Sequence, residues 1–289
     1  MRSSLLIVLA VLSFAAAAAD SNDCPPCSAW NAEQAPFRIF GDTYFVGTHG
    51  LSSVLVTSPQ GHILIDGALP ESAPLIAAHI EKLGFKLSDV KLILNSHVHF
   101  DHAGGIAELQ KLTGAKVIAS DIAAKVLESG KSDRSDPQFG HLPAYPAVSN
   151  VEALGQKQSV SVGPLTLTVI HTPGHSPGGT SWTWQSCEAQ RCLNLVYGDS
   201  LNAIADATFK YSGDQRYPQA KTDLQHSIAA LKAAKCDILV TAHPELAGLW
   251  TSIDAQGHGD REELIDASAC KRYAQAGEAR FEQRLKSEK

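Results

Sequence analysis

The chain has 289 residues, of which 44% are hydrophobic and 19% charged, and its 22 glycines and 14 prolines are spread along its length. This is the composition of a globular protein without low-complexity tracts, and the length suits one compact domain built from two halves. The formal net charge of −6 leaves no basic surplus to neutralise phosphates, which argues against a nucleic acid as partner.

The first nineteen residues have the pattern of an export signal. Arg2 gives a positive start, an apolar run follows to Ala18, and small residues at 17–19 form a cleavage site. The alternative is a retained membrane anchor, but about 14 apolar residues fall short of the roughly 20 that span a bilayer. We therefore expect a signal peptide at residues 1–19 and a single mature domain at residues 20–289.

Export places the mature protein in the periplasm. Residues 21–23, which precede Cys24, lack the small apolar approach of a lipidated cysteine. No stable membrane association is therefore expected after processing, and the mature chain is expected to be a monomer.

Hydrophobic periodicity predicts strands before helices in each half of the domain. The expected strands are residues 37–45, 53–56, 62–67, 90–94, 165–169, 180–184, 193–196 and 238–240, and the expected helices are residues 75–83, 106–112, 224–231 and 265–285. Residues 132–150 follow neither period and are expected to form a long surface loop. Two such halves predict an α/β (α+β) fold, a four-layer αββα sandwich.

A dense group of metal-binding residue types follows the strand at 90–94. His97, His99, Asp101 and His102 lie within six residues, and three imidazoles with a carboxylate in one loop have no evident role in a core. Further ligands must come from other loops at the same edge. His175 and His243 occupy such positions, whereas a histidine elsewhere is more often a surface or hydrogen-bonded residue.

These motifs carry a resemblance to a known family. The run HVHFDH, followed by TPGHSPGG and TAHP, resembles the metallo-β-lactamase superfamily over almost the whole mature chain. The later segments YGDSLN and CKRYAQAGEARFEQRL resemble subclass B3 in particular. The resemblance implies two zinc ions per chain, one held by His97, His99 and His175 and the other by Asp101, His102 and His243.

The resemblance also implies roles for polar residues beside the metal ions. Asp101 is the catalytic residue that orients the attacking hydroxide, and Ser200 and Asn202 bind the substrate carboxylate. Ser200 stands where other subclasses place a thiolate ligand. Ser200 and Asn202 can equally be ordinary polar loop residues. Four residues are expected to line the substrate cleft: Gln138, Phe139, Thr208 and Phe209.

Asp199 can be interpreted in two ways. In glyoxalase-like members of the superfamily an aspartate in a similar Gly-Asp setting bridges the two metal ions. Three protein ligands are already available for each zinc, so we expect Asp199 instead to hydrogen-bond loop backbone or a ligand histidine.

The chain has six cysteines, an even number, which favours disulfides in an oxidising compartment. Parity, export and the family resemblance together predict the pairs Cys187–Cys192 and Cys236–Cys270. Cys24 and Cys27 are left as the residual pair. Their Cys-Pro-Pro-Cys sequence has a second interpretation, as a redox motif.

The resemblance implies a zinc-dependent β-lactamase that confers antibiotic resistance. Its substrates are small β-lactams, namely penicillins, cephalosporins and carbapenems, and hydroxide activated by zinc opens the lactam amide. A glyoxalase-type thioesterase and an acyl-homoserine lactonase share the first motif and are the alternatives. A nuclease would require a basic surface, and a purely structural zinc site would usually be a closed tetrahedron.

Overall fold

A computed structural model describes residues 24–289, and the predicted signal peptide at residues 1–19 lies outside the described residues. Twelve strands of this part of the chain form two sheets. The first sheet contains β1 (Phe37–Phe40), β2 (Thr43–Phe45), β3 (Val54–Val56), β4 (His62–Ile65), β5 (Val90–Leu94), β6 (Lys116–Ala119) and β7 (Val151–Ala153). The second contains β8 (Ser159–Val162), β9 (Leu165–His171), β10 (Thr180–Glu188), β11 (Arg191–Gly198) and β12 (Ile238–Thr241).

The strand order of each sheet shows how the two halves are built. The first sheet has the order β1 to β7, antiparallel from β1 to β4 and parallel from β4 to β7. The second has the order β12-β11-β10-β9-β8, in which only β11 and β12 pair in parallel. The carboxyl ends of β5 and β12 therefore each lead into loops that can carry functional side chains.

Eight helices accompany the sheets in the described part of the chain, and most of them pack on the outer faces. They are α1 (Cys27–Trp30), α2 (Ala73–Lys82), α3 (Phe100–Ala103), α4 (Ile106–Thr113), α5 (Asp121–Ser129), α6 (Ala220–Ala233), α7 (Leu249–Ser252) and α8 (Ala269–Ser287). Short 3-10 turns lie at Pro70–Ser72, Leu87–Asp89, Pro244–Ala247 and Arg261–Leu264. Within residues 24–289, no helix is both long enough and apolar enough to cross a membrane.

The buried side chains form three apolar layers. Successive residues of β4 alternate between two of them: Ile63 and Ile65 face the second sheet, whereas Leu64 packs against the helices of the first half. Trp182 of β10 is fully buried between the sheets. The third layer lies between the second sheet and helices α6 and α8, with Leu224 and Phe281 among its members. The predicted αββα sandwich is confirmed.

Several elements differ from the sequence prediction. The strand expected at 37–45 is a hairpin, because Gly41 turns the chain at φ 52° between β1 and β2. Residues 116–129, for which no element was predicted, form β6 and α5. The terminal helix begins at Ala269 rather than at 265, because Asp266 Oδ1 accepts hydrogen bonds from Ser268 N and Oγ in a turn before the helix. Apolar residues four apart continue through that turn, so periodicity placed the start a turn too early.

Candidate metal centre

The six predicted ligands come together at one edge of the sandwich. His97 and His99 follow β5, and Asp101 and His102 lie in the short helix α3 that comes next. The turn between β9 and β10 carries His175, and His243 follows β12. Separate segments of the chain thus deliver these side chains to one place.

The six side chains form two sets of three. In the set of His97, His99 and His175, one ligand atom from each residue lies within 4.8 Å of the others. The set of Asp101, His102 and His243 meets the same limit. We call these the histidine set and the aspartate set. They adjoin, since the ring centroids of His97 and His102 are 4.4 Å apart.

In each ring of the histidine set, one nitrogen faces the other ligands and the second, which we call the outward nitrogen, is held by a hydrogen bond to the protein. His97 Nδ1 donates to Asp199 Oδ1 at 2.7 Å, and His99 Nε2 donates to Asp136 Oδ2 at 2.9 Å. Both carboxylates are at most 2% exposed. A hydrogen bond of this kind fixes the tautomer and the ring orientation of a metal-binding histidine. The expected hydrogen bond between Asp199 and a candidate ligand histidine is therefore present.

The backbone holds two further rings in the same way. His175 Nδ1 donates to Asn202 O at 2.8 Å, and His243 Nδ1 lies 3.3 Å from Gly50 O. His243 Nε2 then faces Asp101 Oδ2 at 3.3 Å. In both rings Nε2 is left to face its set.

The turn that carries His175 needs a glycine before it. Gly174 has φ +133°, and a Cβ there would lie 2.6 Å from Leu224 Cα in helix α6. The backbone can approach α6 this closely only without a side chain. Gly174 therefore sets the position of His175 against the second half of the fold.

The protonation of His97, His175 and Asp101 suits a metal ion. Burial and the positive charges of neighbouring histidines hold the pKa of His97 well below its ordinary value, and burial lowers the pKa of His175 to about 3. Burial opposes ionisation of Asp101, but contacts with His102 and His243 outweigh it and hold the pKa of Asp101 well below its usual range. Neutral imidazole and ionised carboxylate are the forms that bind metal ions.

One buried atom supports the fit directly. His97 Nε2 is buried and has no hydrogen-bond partner in the described part of the chain. A buried polar atom without a partner is costly unless a ligand satisfies it. Nitrogen and carboxylate oxygen ligands, three to a set, are a donor set that zinc accepts. The chain therefore has a candidate metal site.

The expected substrate-binding residues lie beside the histidine set. Ser200 is 3% exposed, and its backbone N donates to Asp199 Oδ1 at 2.7 Å. Asn202 is partly exposed and holds His175 through its carbonyl oxygen. Gln138 is partly exposed, and its N donates to Asp136 Oδ1 at 2.8 Å. Asn202 is thus itself the partner of a candidate ligand, and Ser200 and Gln138 bond to the partners of two others.

The cleft-lining expectation needs one correction. Phe139 is 40% exposed and Thr208 is exposed, as a cleft position requires. Phe209 is 1% exposed and packs edge-on against Tyr211 in the apolar layer beneath α8. Phe209 is thus a core residue, and its expected contact with substrate was wrong.

Two residues of the site escaped the sequence analysis. Asp136 belongs to the loop expected at residues 132–150, and nothing in its spacing connects it to His99. Trp30 lies near the amino-terminal end of the described chain, and its ring centroid is 5.3 Å from that of His243. Both contacts join residues far apart in the sequence, so no local sequence pattern predicts them.

All six cysteines are paired in the structure. The disulfides join Cys187 to Cys192 across the hairpin of β10 and β11, and Cys236 to Cys270. A third joins Cys24 to Cys27 at the start of α1. The first two pairs are those expected from parity, export and the family resemblance, and Cys24–Cys27 is the residual pair.

The sequence of the central region matches a known family. The model of the metallo-beta-lactamase superfamily matches residues 46–243, which is more than half of the chain, and the chain therefore belongs to that superfamily. It is accordingly a protein of a hydrolase family with a candidate metal site. Enzymes of this family that resemble β-lactamases act on small molecules.

Solved structures show which members of the superfamily the chain resembles. The Rm3 metallo-beta-lactamase is 53% identical, with a TM-score of 0.89 and coverage of 92% of this chain and 98% of that one. MEM-A1, a subclass B3 metallo-beta-lactamase from a soil metagenome library, is 52% identical, with a TM-score of 0.87 and coverage of 90% and 98%. The resemblance to subclass B3 is confirmed.

Curated relatives that match the sequence are named as hydroxyacylglutathione hydrolases rather than as β-lactamases. A hydroxyacylglutathione hydrolase of Rhodopseudomonas palustris is 32% identical over 141 residues, which are 48% of this chain and 46% of the relative. A second from another strain of that species is 33% identical over 156 residues, 54% of this chain and 51% of the relative. The chain thus spans about half the length of the curated relatives it matches.

Proposed function

We propose that this protein is a β-lactamase with two zinc ions per chain that hydrolyses penicillins, cephalosporins and carbapenems and so confers antibiotic resistance. One observation carries the proposal: a 53% identity to the Rm3 metallo-beta-lactamase that extends over 92% of this chain. A likeness of that extent spans nearly the whole chain and supports a shared function. It is closer and longer than the likeness to any thioesterase named above.

The donor set favours zinc. Five imidazoles and one carboxylate give each set three protein ligands, which leaves room for solvent or substrate, as in catalytic zinc sites. When bound, zinc lowers the pKa of coordinated water to about 7 and polarises a carbonyl group. The residues of the chain hold and orient the reactants around it.

The reaction needs a water molecule aligned with the lactam carbonyl. The oxygen of water adds to the carbonyl carbon, the C–N bond breaks, and the nitrogen takes up a proton. Asp101 is ionised and belongs to the aspartate set, so it can accept a hydrogen bond from a water molecule between the two sets. We assign to Asp101 the orientation of this water.

Residues in the loops beside the histidine set orient the substrate. Ser200 and Asn202 can donate hydrogen bonds to the carboxylate that β-lactams carry, and Gln138 can contact the substrate from the opposite loop. Asn202 bonds to His175 directly, and Ser200 and Gln138 bond to the partners of His97 and His99. This supports the assignment, because groups fixed relative to the reacting atoms promote reaction through orientation.

A thioesterase is the second candidate, because the curated relatives are hydroxyacylglutathione hydrolases. The position of Asp199 speaks against it. Asp199 Oδ1 accepts from His97 and from the backbone of Ser200, and Asp199 belongs to neither ligand set, which does not suit a residue that bridges two metal ions. An acyl-homoserine lactonase stays as a third possibility for the assay below.

Export completes the proposal. We propose that residues 1–19 are removed on export, and that residues 20–289 act as one monomeric domain in the periplasm. Three disulfides support an oxidising location.

A substrate panel tests the proposed function. The purified mature protein is given a chromogenic cephalosporin, a hydroxyacyl glutathione thioester and an acyl-homoserine lactone. We expect kcat/KM for the cephalosporin to exceed the others by at least about 100-fold, because specificity is a ratio of kcat/KM values. His97→Ala should abolish turnover, whereas His226→Ala, at an exposed position of α6, should leave it unchanged. Preference for the thioester would contradict the proposal.

A further inference from the structure

The outward nitrogens of the histidine set connect it to two long loops. The first cleft loop, residues 130–150, lies between α5 and β7 and holds His99 through Asp136. The second cleft loop, residues 199–219, lies between β11 and α6 and holds His97 through Asp199 and His175 through the carbonyl of Asn202. Every member of the set is therefore attached to one of these loops.

The two loops are also attached to each other. Asp206 N in the second cleft loop donates to Pro137 O in the first at 2.8 Å. Asp206 is itself fixed, because its Oδ2 accepts from Arg216 Nη1 at 2.8 Å and its Oδ1 accepts from Thr208 N at 2.6 Å. Pro137 directly follows Asp136, so this contact adjoins the one that holds His99.

The aspartate set has no such connection. His243 is held by Gly50, in the turn after β2, and His102 Nδ1 is buried without a partner in the described chain. Among residues 24–289, no hydrogen bond joins either cleft loop to Asp101, His102 or His243. The two sets adjoin, but only one of them is linked to the loops.

We propose that metal occupancy of the histidine set fixes both cleft loops, with Asp136 as the positioning residue for the first, and that occupancy of the aspartate set does not. A ring locked by a metal ion presents its outward N–H in one direction, which selects one position of the loop that accepts it. The linkage is reciprocal, so the loops in turn strengthen metal binding. The proposal rests on the metal centre of the proposed function.

The structure also defines what Asp136 does in its loop. Its two oxygens have different partners: Oδ2 accepts from His99, and Oδ1 accepts from the backbone N of Gln138. Asparagine at this position has one oxygen and can serve only one partner. Asp136→Asn should therefore lose one of these two contacts, so that either His99 or the backbone at Gln138 is no longer held, while the side-chain volume hardly changes.

Hydrogen exchange of the full mature chain tests the proposal. Metal-free protein is titrated with Zn²⁺, and amide exchange is followed by mass spectrometry in peptides from both loops. We expect filling of the histidine set to slow exchange in both loops by about tenfold or more, as ordering of a loop does. His243→Ala should keep this protection, because it damages only the aspartate set.

Asp136→Asn provides the sharper comparison. Zinc should no longer protect the first cleft loop, whereas the second, which holds His175 through a backbone carbonyl, should stay protected. Asp133→Asn is the matched control, since Asp133 lies in the same loop and its side chain bonds only to Ser135, while its backbone carbonyl, which accepts from Asp136 N, is left unchanged. Its zinc-dependent protection should equal that of the parent protein.

Two results would overturn the proposal. One is equal zinc protection of the first cleft loop in Asp136→Asn and the parent. The other is unchanged exchange of both loops in a protein that binds zinc by equilibrium dialysis. A parent protein that binds no zinc would instead overturn the metal centre itself, so the two failures can be told apart.

Discussion

His97 and Asp199 are joined by a hydrogen bond of 2.7 Å from Nδ1 to Oδ1, and both side chains are at most 1% exposed. The same oxygen accepts from Ser200 N at 2.7 Å, and Oδ2 lies 3.5 Å from Thr172 Oγ1. The carboxylate of Asp199 is therefore occupied by protein donors. We expect Asp199 to support a candidate ligand histidine rather than to bind a metal ion itself.

This arrangement predicts different outcomes for two aspartate substitutions. Asp199→Asn should keep both metal ions. It should lower zinc affinity or β-lactam turnover by about 10 to 100-fold, as the loss of a group that hydrogen-bonds to a metal ligand does. Asp101→Asn removes a ligand and should cost more, with loss of the second zinc. Metal analysis and turnover of both variants check this. Loss of a metal ion from Asp199→Asn together with two retained in Asp101→Asn would refute the ligand assignment.

Zinc affinity should fall as the pH falls. Burial alone would lower the pKa of His99 and of His243, because it disfavours the charged imidazolium. The carboxylate of Asp136 outweighs burial at His99, and that of Asp101 outweighs it at His243, so the pKa of each histidine is raised. Raised pKa values mean that both rings take up protons as the pH decreases towards 6, and zinc must displace those protons. We expect the apparent affinity to fall by up to about tenfold per pH unit for each proton displaced.

Chelator competition between pH 6 and 8 measures this dependence, and calorimetry in two buffers counts the protons released. Asp136→Asn should flatten the profile, because the charge that raises the pKa of His99 is gone. A zinc affinity independent of pH over this range would contradict the explanation.

Gly174→Ala should destabilise the fold and misplace His175. The new Cβ would lie 2.6 Å from Leu224 Cα, and φ +133° strains any residue with a side chain. We expect the free energy of unfolding to fall by about 1 to 3 kcal/mol and zinc affinity to fall with it. Gly84→Ala is the control, since Gly84 has φ +89° but open space around it. Equal zinc affinities in the two variants would show that the contact with Leu224 is unimportant.

The Cys236–Cys270 disulfide should contribute most of the stability that the bridges provide. It joins residues 34 apart, whereas Cys187–Cys192 joins residues 5 apart. Serine at both Cys236 and Cys270 should lower the free energy of unfolding by about 2 to 4 kcal/mol, because a longer closed loop restricts the unfolded chain more. Serine at Cys187 and Cys192 should cost less. Peptide mapping without reduction that finds Cys236 free, or paired with Cys187, would contradict this assignment.

The sequence predicted the framework of the site because its signals are local. His97, His99, Asp101 and His102 are dense enough to stand out in six residues, and the buried strands before them show the period of their sheets. His175 and His243 were found because each follows a strand within a motif of the family. Zinc coordination itself stays a prediction, which the two ligand sets support.

Long-range contacts set the limit of the sequence analysis. Asp136 reaches His99 over 37 residues through the folding of an aperiodic loop, so neither composition nor spacing reveals it. Phe209 was assigned to the cleft because its loop was expected there, but α8 covers the loop and buries the ring. Periodicity likewise placed the start of α8 at residue 265 because it cannot detect the turn at Asp266.

Zinc reconstitution with carbapenem hydrolysis as the readout is the most direct test of the central claim. Mature protein is stripped with a chelator, checked by metal analysis and given zinc back in steps. We predict no turnover without metal, and full turnover near two zinc ions per chain that clavulanate does not inhibit, because no serine ester forms during the reaction. Undiminished carbapenem hydrolysis by the metal-free protein would contradict the account.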